Sequence, residues 1–291
     1  MKILAILLFS LNILAASEQY VILIPGAASS GDQISIRGLT PVFGPIKEGK
    51  YFKHLELKLK NKFQNVLTCP KLRDKDSRNL TKRAYDCSAF ILANSLKNPY
   101  AKYHLVGHSM GGLVARKILD LFPVSRLIKS VTTIATPHKG SILANYVIEN
   151  HQKKSVVGSF IRLIEFSPAK RKYIPDLAIK NNRNLFSESL RNRLNIPIYS
   201  ISNYKTNLYN TPLAVTSKII SLEAKKYENR SKKSDGIIET SSMVYGTHLA
   251  EIKADHLEAG CVLYTRYAKG CKRLLKVLIP HLQKVHNSAN R

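Results

Sequence analysis

Short apolar runs alternate along this chain with longer segments of helical spacing. Tyr20–Ile24 is continuously apolar and stops at Pro25-Gly26, which predicts a strand buried on both faces and then a loop. From 26 to 50 the chain is rich in Gly, Pro and Ser and reads as irregular. Phe52, Leu55, Leu59 and Phe63 recur at helical spacing and predict an amphipathic helix over 51–63. Residues 65–68 read as a short strand, and Leu80, Ala84, Cys87, Phe90, Ile91 and Leu96 predict a helix over 78–96. Residues 103–106 are strand-like. They lead into Gly107-His108-Ser109-Met110-Gly111, after which Leu113, Val114, Ile118, Leu119 and Phe122 predict a helix over 113–122. Residues 130–134 and 196–201 are further strands, the latter with Pro197 near its start, where it disturbs a ladder least. Strands alternating with helices predict an α/β protein whose mostly parallel sheet has helices on both faces.

The N-terminus has a different pattern. Lys2 precedes an apolar run, Ile3 to Leu14, broken only by Ser10 and Asn12 and closed by Ala15, Ala16 and Ser17. These are the three parts of a secretory signal peptide, 1–17, so residues 18–291 are expected outside the cytoplasm, secreted or periplasmic. The run is too short for a comfortable membrane anchor. Four cysteines suit an oxidising compartment. Pairing 69–87 with 261–271 is the simplest of three connectivities, and buried free thiols are the other reading. No close Cys/His spacing suggests zinc.

Charge changes the choice of partner. The 46 Lys and Arg against 19 Asp and Glu give +27, which suits nucleic acid, an anionic membrane surface or an acidic substrate. Export and the lack of a helix-turn-helix, zinc-finger or RNA-binding signature exclude a specific nucleic-acid role. An anionic membrane surface remains a possible partner. Residues 152–233 hold 17 Lys and Arg against 5 Asp and Glu, so the excess is concentrated. That region overlaps a long insertion, about 142–195, between the strands near 134 and 196. Such an insertion within one domain reads as a lid over a site.

The chemistry centres on Gly107–Gly111, a G-x-S-x-G pattern set between a strand and a helix. A sharp strand-to-helix turn needs unbulky flanks and lifts the Ser109 hydroxyl to a helix N-terminus. There the dipole and the N–H of Met110 stabilise an oxyanion. Serine needs a base, and the base an orienting acid. In the order nucleophile, acid, histidine, Asp235 of Ser234-Asp-Gly and His256 of Ala254-Asp-His follow Ser109. His248 is the rival base. Asp255, Asp120 and Asp176 are weaker acids, and His108 and His138 are expected to brace backbone. The loop Pro25-Gly26-Ala27-Ala28 supplies the second oxyanion donor, the N–H of Ala27.

Ile24-Pro-Gly-Ala27, Gly107–Gly112, Thr136-Pro-His-Lys-Gly-Ser141, Ser234-Asp-Gly236 and Asp255-His-Leu-Glu258 together resemble the α/β-hydrolase lipases. The resemblance is strongest to the bacterial secreted triacylglycerol lipases of the Pseudomonas and Burkholderia type. It implies the α/β-hydrolase fold with a helical lid after Ser141 and a Ser109–Asp235–His256 triad. It also implies oxyanion donors at Ala27 and Met110, and a lipid or other acyl-ester substrate. A structural calcium near the histidine is frequent in that family. Here Glu258 falls at one acidic ligand position, but Val262 stands where an amide side chain is usual, and no Asp precedes Asp235 in its loop. Calcium wants several oxygens, so no metal or cofactor is expected, and a Cys261–Cys271 disulfide is the alternative brace.

Overall fold

The computed structural model describes residues 18–26, 51–70, 79–150, 174–182, 195–208, 213–262 and 264–288. Among the described residues, six strands form one sheet: β1 (Gln19–Ile24), β2 (Asn65–Thr68), β3 (Lys102–His108), β4 (Ile128–Ile134), β5 (Ile198–Tyr204) and β6 (Thr247–Lys253). Their spatial order is β2-β1-β3-β4-β5-β6 and every pairing is parallel. Parallel neighbours need crossovers, and helices supply them on both faces.

The side-chain period of two divides β1 between two cores. Tyr20, Ile22 and Ile24 face one, with α2 (Leu80–Lys97) and α3 (Met110–Ile118). Val21 and Leu23 face the other, with α1 (Lys53–Lys60) and a C-terminal helix, Tyr264–Ser288. In that last helix Leu274, Leu278, Leu282 and Val285 are buried at a four- or three-residue interval, while Lys272, Arg273, Lys276 and Lys284 face water. The Asn79 side chain accepts from the N–H of Lys82 and starts α2, satisfying one donor that a helix start leaves unpaired. Disulfides join Cys69 to Cys87 and Cys261 to Cys271. The first ties the end of β2 to α2, and the second ties the histidine turn to the C-terminal helix.

Several boundaries differ from the sequence reading. The helix predicted over 113–122 starts at Met110 and stops at Ile118, and Phe122 is 69% exposed rather than on a buried face. Pro123 disfavours helical backbone at the residue before it, and Val124 takes up core contact instead. The last predicted strand runs from 198 to 204, beyond Pro197. Of the predicted lid, 142–150 form α4 (Ile142–Asn150), and two short turns follow, α5 (Ile174–Leu177) and α6 (Ile179–Asn182). Ile142 and Ile179 pack with Ile220 and Ala224, the former in helix α7 (Leu213–Glu223). Residues 151–173 and 183–194 of that insertion, and the predicted signal peptide 1–17, lie outside the described residues.

The sheet order reverses direction between β1 and β3. A crevice at the carboxyl ends of strands on either side of such a reversal is where open α/β sheets bind ligands. Gly26 follows β1 there and Ser109 follows β3.

Candidate active site

Ser109 sits between β3 and α3 at φ 56° and ψ −130°, backbone that a side chain adopts only under constraint. The constraint is visible. The Ser109 N–H donates to Ile134 O at 2.9 Å, and its carbonyl accepts from Gly112 N and from Thr136 Oγ1, each at 3.0 Å. Two glycines make the turn sterically possible. A Cβ on Gly107 would come within 2.5 Å of the backbone of Gly111 and Gly112, and one on Gly111 would lie 2.0 Å from the carbonyl oxygen of Ile24. The serine is therefore held by β4 and a threonine and pressed against the end of β1.

The acid and the histidine come from the other end of the sheet. Asp235 follows β5 in a tight loop with Gly236 at φ 98°, and its side chain is fully buried. Its Oδ1 accepts from the N–H groups of Ile237 (2.9 Å) and Ile238 (2.8 Å). Its Oδ2 accepts from Asn203 Nδ2 at 3.0 Å and pairs with His256 Nδ1 at 2.7 Å. With all partners donating, the proton of a neutral imidazole resides on Nδ1, and the Nε2 lone pair faces Ser109 Oγ at 2.9 Å. The hydroxyl thus donates to the ring, the geometry a general base requires.

His256 opens a one-turn helix, α9 (His256–Ala259, following α8, Thr240–Met243). Asp255 caps it. Asp255 Oδ1 accepts from Leu257 N and Glu258 N, and Glu258 Oε2 accepts from Asp255 N, each at 3.0 Å. This reciprocal capping box fixes where the first helical residue, the histidine, points. The N–H of His256 donates to Asp235 O at 3.1 Å, joining the two loops through backbone as well as side chains.

His108 and Tyr51 buttress the same turn. His108 Nε2 lies 2.9 Å from the His256 carbonyl, so it donates, and Nδ1 accepts from the Tyr51 hydroxyl at 2.7 Å. Burial, then the neighbouring His256, pushes the His108 pKa well below the ordinary histidine value, and the ring stays neutral. Burial raises the Tyr51 phenol far enough to keep it a donor. His138 braces elsewhere, with Nε2 on Thr133 Oγ1 at 2.8 Å and its ring stacked on Tyr245.

The rival groups are engaged away from this constellation. His248 Nε2 meets Ser202 Oγ at 3.0 Å. Asp120 pairs with Lys117, and Asp176 accepts from Leu80 N. Asp255 is a cap, not the orienting acid. Met110 is the first residue of α3, so its N–H lacks an intrahelical acceptor. Ala27 lies outside the described residues. Its neighbour Gly26 abuts Ser109, since a Cβ there would fall 2.9 Å from Ser109 Cβ. The sequence reading missed Tyr51, Asn203 and Lys205, the last with its Nζ 3.0 Å from Asp255 Oδ2. None carries a local motif, and each reaches the site only through the sheet topology.

An all-parallel sheet with a strand–serine–helix turn at its switch point is an α/β-hydrolase fold. Comparison with known proteins agrees. Residues 15–157, just under half of the chain, match the PGAP1-like alpha/beta domain. A triacylglycerol lipase of Pseudarthrobacter phenanthrenivorans is 50% identical over 46 residues, 16% of this chain and 14% of that protein. One from Burkholderia plantarii is also 50% identical over 46 residues, 12% of its length. The chain thus matches only about one-seventh or less of these relatives' length. Among solved structures, the mature Bacillus licheniformis lipase BlEst2 superposes with a TM-score of 0.58 at 14% identity, over 89% of this chain and 92% of that one. Lipase 1 from Pelosinus fermentans gives 0.50 at 18% identity, over 89% and 98%.

Proposed function

We propose that the protein is a serine ester hydrolase, a lipase that cleaves long-chain acyl esters such as triacylglycerol through an acyl-enzyme. The observation that carries this reading is the continuous chain Ser109 Oγ, His256 Nε2, His256 Nδ1, Asp235 Oδ2, with steps of 2.9 and 2.7 Å across its two hydrogen bonds. A binding protein has no need of such an arrangement. The names of the relatives that share its segments support an ester substrate.

In this mechanism Ser109 attacks the ester carbonyl while His256 takes its proton. Asp235 keeps the ring in the reactive tautomer and stabilises the imidazolium. The oxyanion rests on the N–H groups of Met110 and Ala27. His256 then protonates the departing alcohol, and the same ring activates water to release the acid. The insertion 142–195 acts as the lid. Cleavage after Ser17 delivers the chain, with its two disulfides, to the periplasm or medium. No helix among the described residues is long and apolar enough to cross a membrane.

The basic region 152–233 favours a second substrate reading, phospholipid at an anionic surface, since each Lys or Arg near such a surface is worth up to about 1 kcal/mol. Fatty-acid release from neutral triacylglycerol emulsions and from anionic phospholipid vesicles, at low and high salt, tests both. The lipase reading expects release from triacylglycerol at either salt. Release confined to anionic vesicles and suppressed by salt selects the phospholipase reading, and release from neither overturns both.

A further inference from the structure

The histidine turn carries two buried carboxylates that the proposed reaction does not use. Asp255 and Glu258 have side chains only 1% and 8% exposed, yet both face the same cation. Lys205 Nζ lies 3.0 Å from Asp255 Oδ2 and 3.2 Å from Glu258 Oε2. Burial pulls the Lys205 pKa down, but the hydrogen bond to Asp255 and the charges of Asp255 and Glu258 outweigh it, so the net direction is up. The group stays an ammonium.

Lys205 also has a particular place in the chain. It directly follows β5, two residues after Asn203, whose amide holds Asp235. Its backbone N–H donates to Ser234 O at 3.1 Å, beside Asp235, while its side chain reaches the cap beside His256. Ala254 N donates to Tyr204 O at 2.9 Å. The end of β5 therefore holds the acid loop with its backbone, and the histidine turn with one backbone hydrogen bond and one charge.

A resident calcium does not fit this donor set. That ion takes about six to eight oxygens at roughly 2.3–2.6 Å. The two carboxylates it would need converge on a nitrogen already, and they also accept the backbone N–H groups of the capping box. A cation between them would have to displace the ammonium and meet its charge.

We propose that Lys205 is a positioning residue: its ammonium is a built-in cation that pins the histidine turn to the acid loop, so the Ser109–His256 geometry needs no divalent metal. This inference rests on the hydrolase reading above. A buried pair of carboxylates left without its cation relaxes by shifting the cap, and the cap sets the ring. A displacement of about 1 Å at a general base costs up to about a hundredfold in rate.

The test measures how fast a fluorophosphonate probe labels Ser109 in the full chain, with kcat and KM on a chromogenic ester. Wild type, Lys205→Met and Lys205→Arg are compared in EDTA and in added calcium, at temperatures where circular dichroism shows each folded. Wild type should label equally in both media. Lys205→Met should label about 10- to 100-fold more slowly, with the loss in kcat and KM nearly unchanged, and Lys205→Arg should recover most of it. Labelling of folded Lys205→Met at the wild-type rate overturns the proposal. So does a wild type that EDTA slows and calcium restores, an arm that needs no variant to fold. A wild type that never labels overturns the hydrolase reading itself, and the positioning role with it.

Discussion

Replacing Asp235 by Asn changes one atom and tests the orientation argument. Both Asp235 oxygens accept, and the two partners of Oδ1 are backbone N–H groups that cannot turn around, at 2.9 and 2.8 Å. The Asn amide oxygen must therefore take the Oδ1 position, which leaves the NH2 facing Asn203 and His256 Nδ1. Asn203 can answer by flipping its own amide: Oδ1, which has no hydrogen-bond partner, turns toward the new NH2, and Nδ2 gives up its 3.4 Å bond to Ala254 O. The fold should tolerate the exchange at the cost of that one long hydrogen bond, about 1 kcal/mol, with a small fall in melting temperature. The histidine adapts differently. Its Nδ1 must now accept, so the proton moves to Nε2, which points at Ser109 Oγ and can no longer take the hydroxyl proton. A wrong tautomer of this kind costs about 10⁴-fold in kcat, or about 5 kcal/mol of transition-state stabilisation. The assay is kcat on a chromogenic acyl ester at neutral pH, with thermal melts run alongside. A folded Asp235→Asn variant that keeps kcat within tenfold of wild type would refute the assignment of Asp235 as the group that sets the tautomer.

Gly111→Ala places a Cβ 2.0 Å from the Ile24 carbonyl oxygen, which belongs to β1, an interior strand paired on both sides, and cannot swing away. The variant should lose at least about 1–3 kcal/mol of stability, read from chemical denaturation, and an unchanged midpoint would contradict the close approach of β1 to the serine turn. His104 is buried between Ser130 and Gln19, and desolvation, then His286, His281 and Lys129, push its pKa down to about 4. The unfolded chain binds that proton near pH 6.5 and the native state does not. Stability is therefore lost as pH falls from about 6.5 to 4, by up to about 3 kcal/mol from this group. His104→Gln should flatten the pH dependence of the melting temperature across that window, and parallel curves for the two proteins would count against it.

The sequence made the central sheet and the serine turn readable for one physical reason: both are local. Tyr20–Ile24 is buried on both faces and reads as an unbroken apolar run, and Gly107–Gly111 carries its turn within five residues. β6 has no counterpart in the sequence reading because it is an edge strand. Thr247 to Lys253 buries only Ile252, so neither an apolar run nor a clean alternation marks it. The C-terminal helix also has no counterpart there, although Leu274, Leu278 and Leu282 carry a plain helical period. The order and spacing along the chain sufficed to nominate Asp235 and His256. The groups that hold them are long-range: Asn203 reaches Asp235 across 32 residues, and Tyr51 reaches His108 across 57. Lys205 read as one more charge in a basic stretch, and the return of the chain at Asp255 brings the buried carboxylates to it.

The proposed hydrolase turns over through an acyl group carried on Ser109. Mass spectrometry of the chain quenched during turnover of a slow ester substrate measures this directly. An added acyl mass is expected on the peptide that contains Ser109, disappearing on further incubation, with no adduct and no turnover in a folded Ser109→Ala variant. Hydrolysis retained by Ser109→Ala, or an acyl group on any other residue, would contradict it.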